Sequence, residues 1–222
     1  MNLPLVRQLI VKDLYLHRWP LFGLAVAVPA VALSLSLWGG TNWSHVGMVL
    51  MSNTMIWLGF FLPIATVSKE QKAFLFSLPM SAVEYTAAKL AVTSLVFLGP
   101  WLVFVAVMPR VVESHGALAR GATVPALLLM GVFFVWLLLT TGVTLVFESL
   151  TATLFSGFLV VVLVFAFIPL MRYVPRSILE HWASGRVVWD PPVLGLVAGQ
   201  IVFAIVVVAA TFALQSRRRS LI

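Results

Sequence analysis

The sequence predicts an all-α membrane protein that crosses a bilayer about six times. Three observations predict it. The 222 residues are 62% hydrophobic and only 9% charged, against about 25% charged in a soluble domain. That leaves too little polar surface to cover a water-facing globule. The apolar residues gather in solid runs about 20 long, the length an α-helix needs to span the hydrocarbon core. The cations sit at the ends of those runs, where they meet lipid headgroups. Barrel strands do not fit, since they are about 10 residues long and alternate polar with apolar.

Residues 1–18 form the first element. Leu3, Val6, Ile10 and Leu14 recur at spacings of three, four and four, one stripe of a helix. Arg7, Gln8, Lys12 and Asp13 lie elsewhere around it, and Leu5, Leu9 and Leu16 blur the pattern. Such a helix lies along the cytoplasmic membrane interface. Residues 19–38 are long enough to span and no clear cleavage site follows, so they read as a retained first span rather than a signal peptide. Further spans fall at 46–67, 90–108, 123–146, 151–170 and 193–214. The fourth and fifth nearly touch. As one helix they would be roughly 70 Å long, over twice the hydrocarbon thickness. The chain must therefore turn back at Phe147, Glu148 and Ser149. Inside lipid each helix satisfies its own backbone hydrogen bonds, and the whole reads as one membrane domain, 1–222.

Six crossings put both termini on one side. That side collects Arg7, Lys12, Arg18, Lys69, Lys72, Lys89, Arg217, Arg218 and Arg219, nine of the 14 basic residues. The other side has the remaining five, Arg110, Arg120, Arg172, Arg176 and Arg186. The excess places the N- and C-termini in the cytoplasm and the chain in the plasma membrane. A net charge of +7 spread in this way fits membrane lipid. Nucleic-acid binding would need cations clustered on a soluble face.

Two connecting stretches carry pattern. The largest cytoplasmic loop runs from Lys69 to Lys89. Pro79 breaks it, because proline cannot complete a helical hydrogen bond. Ser81 stands three residues before Glu84, the spacing of a capping box that starts a helix into the third span. Outside, residues 171–192 hold Ser177 and Glu180 at the same spacing after Pro175, with Gly185 to close a short helix before the sixth span. Tyr173, Trp182 and Trp189 suit the headgroup level.

Catalytic and metal-binding motifs are missing. The chain has no Gly-x-x-x-x-Gly-Lys-Ser/Thr loop, no Gly-x-Gly-x-x-Gly and no Gly-x-Ser-x-Gly. Without cysteine it has no disulfide, thiolate site or Cys nucleophile. His17, His45, His115 and His181 are scattered and do not pair as zinc ligands. Asp13, Glu70, Glu84, Glu113, Glu148, Glu180 and Asp190 all lie at or beyond span ends, away from the mid-membrane position of a proton relay. The polar residues inside spans include Asn53, three threonines at 140, 141 and 144, then Thr151, Thr153, Ser156 and Gln200. They either line a path or make helix-to-helix hydrogen bonds worth about 0.6 kcal/mol each. Met48, Met51 and Met55 form a stripe that suits packing or adaptable apolar contact. Gly195 and Gly199 allow close helix approach.

The loop is the most specific feature. Lys69-Glu70-Gln71-Lys72, then Leu75-Phe76-Ser77-Leu78-Pro79-Met80-Ser81, then Glu84 and Lys89, resembles the signature loop of ABC-2-type exporter permeases. Ile10-Val11-Lys12-Asp13-Leu14 looks like the N-terminal interfacial helix of that family. The layout matches too: six spans, a tight turn between the fourth and fifth, and a short external helix before the sixth. The family often has arginine after the second serine, where this chain has Ala82. The resemblance implies a permease that pairs with a second copy, identical or related, and docks a separate ABC ATPase. ATP and Mg would sit on that partner, and this chain would hold no cofactor. Glu70, Lys72, Phe76, Leu78, Pro79 and Met80 would form the coupling contact. Leu78 and Met80 would fill a groove on the ATPase, and Glu70 and Lys72 would set register. Spans two and five would flank the substrate path, making Asn53, Met55 and Ser156 its candidates.

Other classes predict other features. A secondary transporter would carry an intramembrane charge or an inverted repeat of broken helices, for which Pro63 and Pro100 are the candidates. An intramembrane enzyme would need convergent nucleophile, base or metal groups. A non-transporting membrane scaffold would show none of these and would not co-purify an ATPase.

Overall fold

The structure, a computed structural model, describes residues 3–16, 18–19, 23–38, 40–65, 81–115, 120–170, 180 and 183–217. Among these it is all helical. Seven α-helices follow one another: α1 (Leu3–Leu16), α2 (Val28–Trp38), α3 (Gly40–Ala65), α4 (Ala82–His115), α5 (Thr123–Phe147), α6 (Leu150–Leu170) and α7 (Pro191–Ser216). A π-helical turn, Gly23–Ala27, leads into α2, and a 3-10 turn, Arg120–Ala122, leads into α5. Three helical stretches are long and apolar enough to cross a membrane: Ala82–Ala106, Thr123–Phe147 and Pro191–Ser216. Shorter apolar stretches lie at Ala25–Leu35, Val49–Ile64 and Leu150–Leu159.

Local chemistry explains where the helices begin and end. At α4 the expected capping box is present. The Ser81 amide donates to Glu84 Oε2 at 3.0 Å, and the Glu84 amide donates to Ser81 Oγ at 3.3 Å. Two donors of the helix start are thus satisfied reciprocally. From there α4 runs 34 residues without a break, roughly 50 Å at 1.5 Å per residue, well beyond the apolar stretch expected at 90–108. The turn between α5 and α6 falls where the sequence placed it. Glu148 takes a left-handed backbone, φ 50°, and its amide donates to the Thr144 carbonyl at 2.9 Å. The Ser149 hydroxyl accepts the Ala152 amide at 3.4 Å to start α6. At α7, Asp190 precedes Pro191 and Pro192, positions where a missing N–H costs no hydrogen bond. Pro63 and Pro100 lie within α3 and α4, and both helices run through them.

α5 is the centre of the bundle. It packs against α3, α4, α6 and α7, and half of its spanning window is buried, against 11% for α7. The main core fills the space between α2, α3, α4 and α5 with Ala32, Met51, Met55, Leu58, Phe97, Phe133, Trp136 and Leu137. Met51 and Met55 of the methionine stripe are therefore packing residues. Phe60 meets the Trp136 ring edge-on at 5.1 Å.

Each neighbour of α5 is also tied to it by a polar side chain. The Thr140 hydroxyl of α5 reaches the Gly59 carbonyl of α3 at 3.5 Å. Trp101 of α4 donates its indole N–H to the Met130 carbonyl at 3.0 Å. Thr144 of α5 and Thr153 of α6 share a hydrogen bond of 2.8 Å. Gln200 of α7 donates to the Leu128 carbonyl at 2.9 Å, the helix-to-helix role weighed for it above. Gln215 donates to the Leu145 carbonyl, which lies in the last turn of α5, where carbonyls lack an intrahelical partner. Gly131 faces Gln200 so closely that a Cβ there would collide with its amide.

Candidate functional site at the end of the bundle that carries α1

One end of the bundle gathers α1, the start of α4, the α5–α6 turn and the last turns of α7. Val6 and Leu9 of α1 bury themselves against Ala88 of α4. Tyr85, one turn into α4, packs beside Leu145 of α5 and Val207 of α7. The N-terminal helix and the C-terminal turns of α7 therefore share an end. At the opposite end the Gly121 amide donates to the Ser184 carbonyl at 3.0 Å, joining the two loops there.

The centre of the shared end is an ion pair. Lys89 Nζ lies 2.6 Å from Asp13 Oδ2, and both side chains are buried. The ammonium also stands 5.6 Å from the Tyr85 ring centroid, close enough for cation–π attraction. Asp13 is 7% exposed, so it occupies the inward face of α1 together with Val6 and Leu9. The stripe through Leu3, Val6, Ile10 and Leu14 holds in part: Val6 is buried and Ile10 and Leu14 are half-buried against the core. Leu3 is 63% exposed, and the inward line is Val6, Leu9 and Asp13. The sequence held one signal for this. Leu9 and Asp13 are four residues apart, and Val6 three before Leu9, so all three share a helical face.

Two helices bound the stretch of sequence that carries the proposed coupling residues. α3 ends at Ala65, and α4 starts beyond the Ser81 cap. Glu70, Lys72, Phe76, Leu78, Pro79 and Met80 lie outside the described residues. The short external helix expected before α7 falls mostly outside them as well. The three path candidates are described and are not gathered into one site. Asn53 is exposed on α3 and donates to its own helix at the Val49 carbonyl, 2.9 Å away. Met55 is fully buried on the other side of the same helix. Ser156 is buried on α6 and donates to the Thr153 carbonyl at 2.9 Å. Near it Gly157 lets α6 approach the Phe60 ring of α3. Gly195 and Gly199 are exposed on α7, and a Cβ on either would meet nothing within 4 Å.

Compared with protein families, curated proteins and solved structures, the chain matches no family model, no curated protein and no solved structure.

Proposed function

We propose that the chain is the transmembrane permease subunit of an ABC-2-type exporter. It spans the plasma membrane six times with both termini in the cytoplasm, and it moves a substrate outward using ATP hydrolysed by a separate ATPase subunit. A second permease copy completes the path. The observation that carries this reading is the sequence pattern from Lys69 to Ser81 around Pro79, read together with the capping box at its far border. Several features support the reading. The chain is apolar, its regular structure among the described residues is all helical, and its own sequence holds no nucleotide-binding loop. α1 and the last turns of α7 lie at the end of the bundle from which α4 starts.

In this reading Leu78 and Met80 enter an apolar groove on the ATPase. Phe76 and Pro79 shape the elbow, while Glu70 and Lys72 fix its register by charge. Asn53, Met55 and Ser156 belong to the helices that flank the path. ATP and Mg reside on the partner.

The test is Leu78→Asp in the full chain, co-expressed with the partner P-loop ATPase. A charge placed in an apolar contact is costly when desolvated. The variant should insert into the membrane normally and lose the co-purifying ATPase. Normal co-purification overturns the coupling assignment, and transport that persists with a hydrolysis-dead ATPase overturns the exporter reading itself.

A further inference from the structure

The outward face of α1 is built differently from the lipid-facing surface of α7. On α7 the exposed residues include Leu194, Leu196, Ile201, Phe203 and Ile205, all apolar. On α1, Leu3, Arg7, Val11 and Tyr15 recur every four residues and are all exposed, with Gln8 beside them. Lys12 stands at the edge of this face, half-buried. Just past the helix, the Arg18 guanidinium lies 4.2 Å from the Tyr15 ring centroid and 5.8 Å from that of Trp19. Trp19 itself is 74% exposed.

Charge decides what this face fits. The one acidic residue of α1 is Asp13, which is turned inward and joined to Lys89. The outward face is therefore cationic and apolar with no carboxylate of its own. Neither Arg7 nor Arg18 pairs with a carboxylate among the described residues. Cations, exposed aromatics and aliphatic side chains on one helical face are the composition that rests at a headgroup boundary.

We infer that the outward face of α1 is a binding surface for anionic phospholipid of the adjacent leaflet. Arg7 and Arg18 take the headgroup phosphates, and Val11, Tyr15 and Trp19 take the upper acyl chain. The inward Asp13–Lys89 pair holds this face toward the lipid. The inference rests on the chain being a membrane protein and is independent of the exporter reading, since it involves no coupling residue and no ATPase.

A basic residue near an anionic surface contributes about 1 kcal/mol, a preference of roughly fivefold. Arg7 and Arg18 together should therefore supply about 25-fold. The experiment titrates the purified full-length chain, in zwitterionic detergent micelles, with phosphatidylglycerol or phosphatidylcholine and counts bound lipid by native mass spectrometry. The wild-type chain should bind phosphatidylglycerol more tightly than phosphatidylcholine by about 10-fold or more. The Arg7→Gln, Arg18→Gln double variant should lose most of that preference while its phosphatidylcholine binding stays unchanged. Arg7→Lys with Arg18→Lys should retain it. Both arginines project outward, so these variants leave the packing against α4 in place. Equal binding of the two lipids by the wild-type chain overturns the inference, as does full preference in the glutamine variant. If the glutamine variant instead sheds a co-purifying ATPase with its lipid titration unchanged, the face docks protein and the lipid assignment is wrong.

Discussion

Removing Lys89 should strongly destabilise the end of the bundle that carries α1. At 2.6 Å and an effective dielectric of about 20, the attraction between Lys89 and Asp13 is about 6 kcal/mol. Drawing each ion out of water costs several kcal/mol, so the attraction and the two penalties nearly cancel. The pair as a whole therefore adds little net stability, yet losing one member leaves the penalty of the other in place. Lys89→Met should cost about 3–5 kcal/mol, and Asp13→Leu a similar amount. The double variant, with two apolar residues of comparable size, should return to within about 1 kcal/mol of the wild-type chain. The assay is unfolding by titrated denaturing detergent in mild micelles, followed by the fluorescence of the eight tryptophans. A double-mutant cycle then isolates the interaction. If either single variant unfolds at the wild-type midpoint, or the double variant is as unstable as the two singles summed, the pair does not join α1 to α4.

Three further changes probe the helix borders and one close approach, each read by the same unfolding titration. Ser81→Ala removes the hydroxyl half of the capping box and should cost about 1 kcal/mol; an unchanged midpoint would mean that the cap carries no stability. Glu148 sits at φ 50°, where a non-glycine residue pays about 1–2 kcal/mol. Glu148→Gly should therefore hold or raise stability and Glu148→Val should lower it, and the reverse order would contradict the turn geometry. Gly157→Leu drives a side chain into the Phe60 ring and should cost about 1–3 kcal/mol by overpacking. Added Phe60→Ala should recover part of that loss, and a lack of recovery would place the damage elsewhere.

The borders of the helices were legible where single residues determine them. Ser81 and Glu84 announce the start of α4 by chemistry that needs no distant partner, and the reciprocal bonds are present. Glu148 and Ser149 are the polar break between two runs too long to be one helix, and the chain turns there. Helix length was less legible. α3 starts at Gly40 and α4 extends to His115, both beyond the apolar windows. A window of hydropathy reads where lipid ends, while a helix continues into water for as long as its backbone bonds and caps allow. The role of Gln200 as a bridge to α5 was legible as chemistry, because a buried amide in an apolar helix needs a partner. Which carbonyl it would meet depends on how α7 packs, and no local pattern states that.

Asp13 shows why the site itself resisted reading. An amphipathic stripe is drawn by setting charges outward and apolar residues inward, so Asp13 was grouped with Arg7 and Lys12. That rule holds for a lone charge, because a buried unpaired carboxylate costs far more than a leucine gains there. It fails when the partner is supplied from another helix, and Lys89 arrives only after α2 and α3 have intervened. The desolvation penalty that makes a buried charge improbable is the same term that makes the paired one informative. A lysine and an aspartate leave water together only where the fold holds them in contact. The pair therefore marks α1 as a fixed part of the bundle, docked on the first turns of α4.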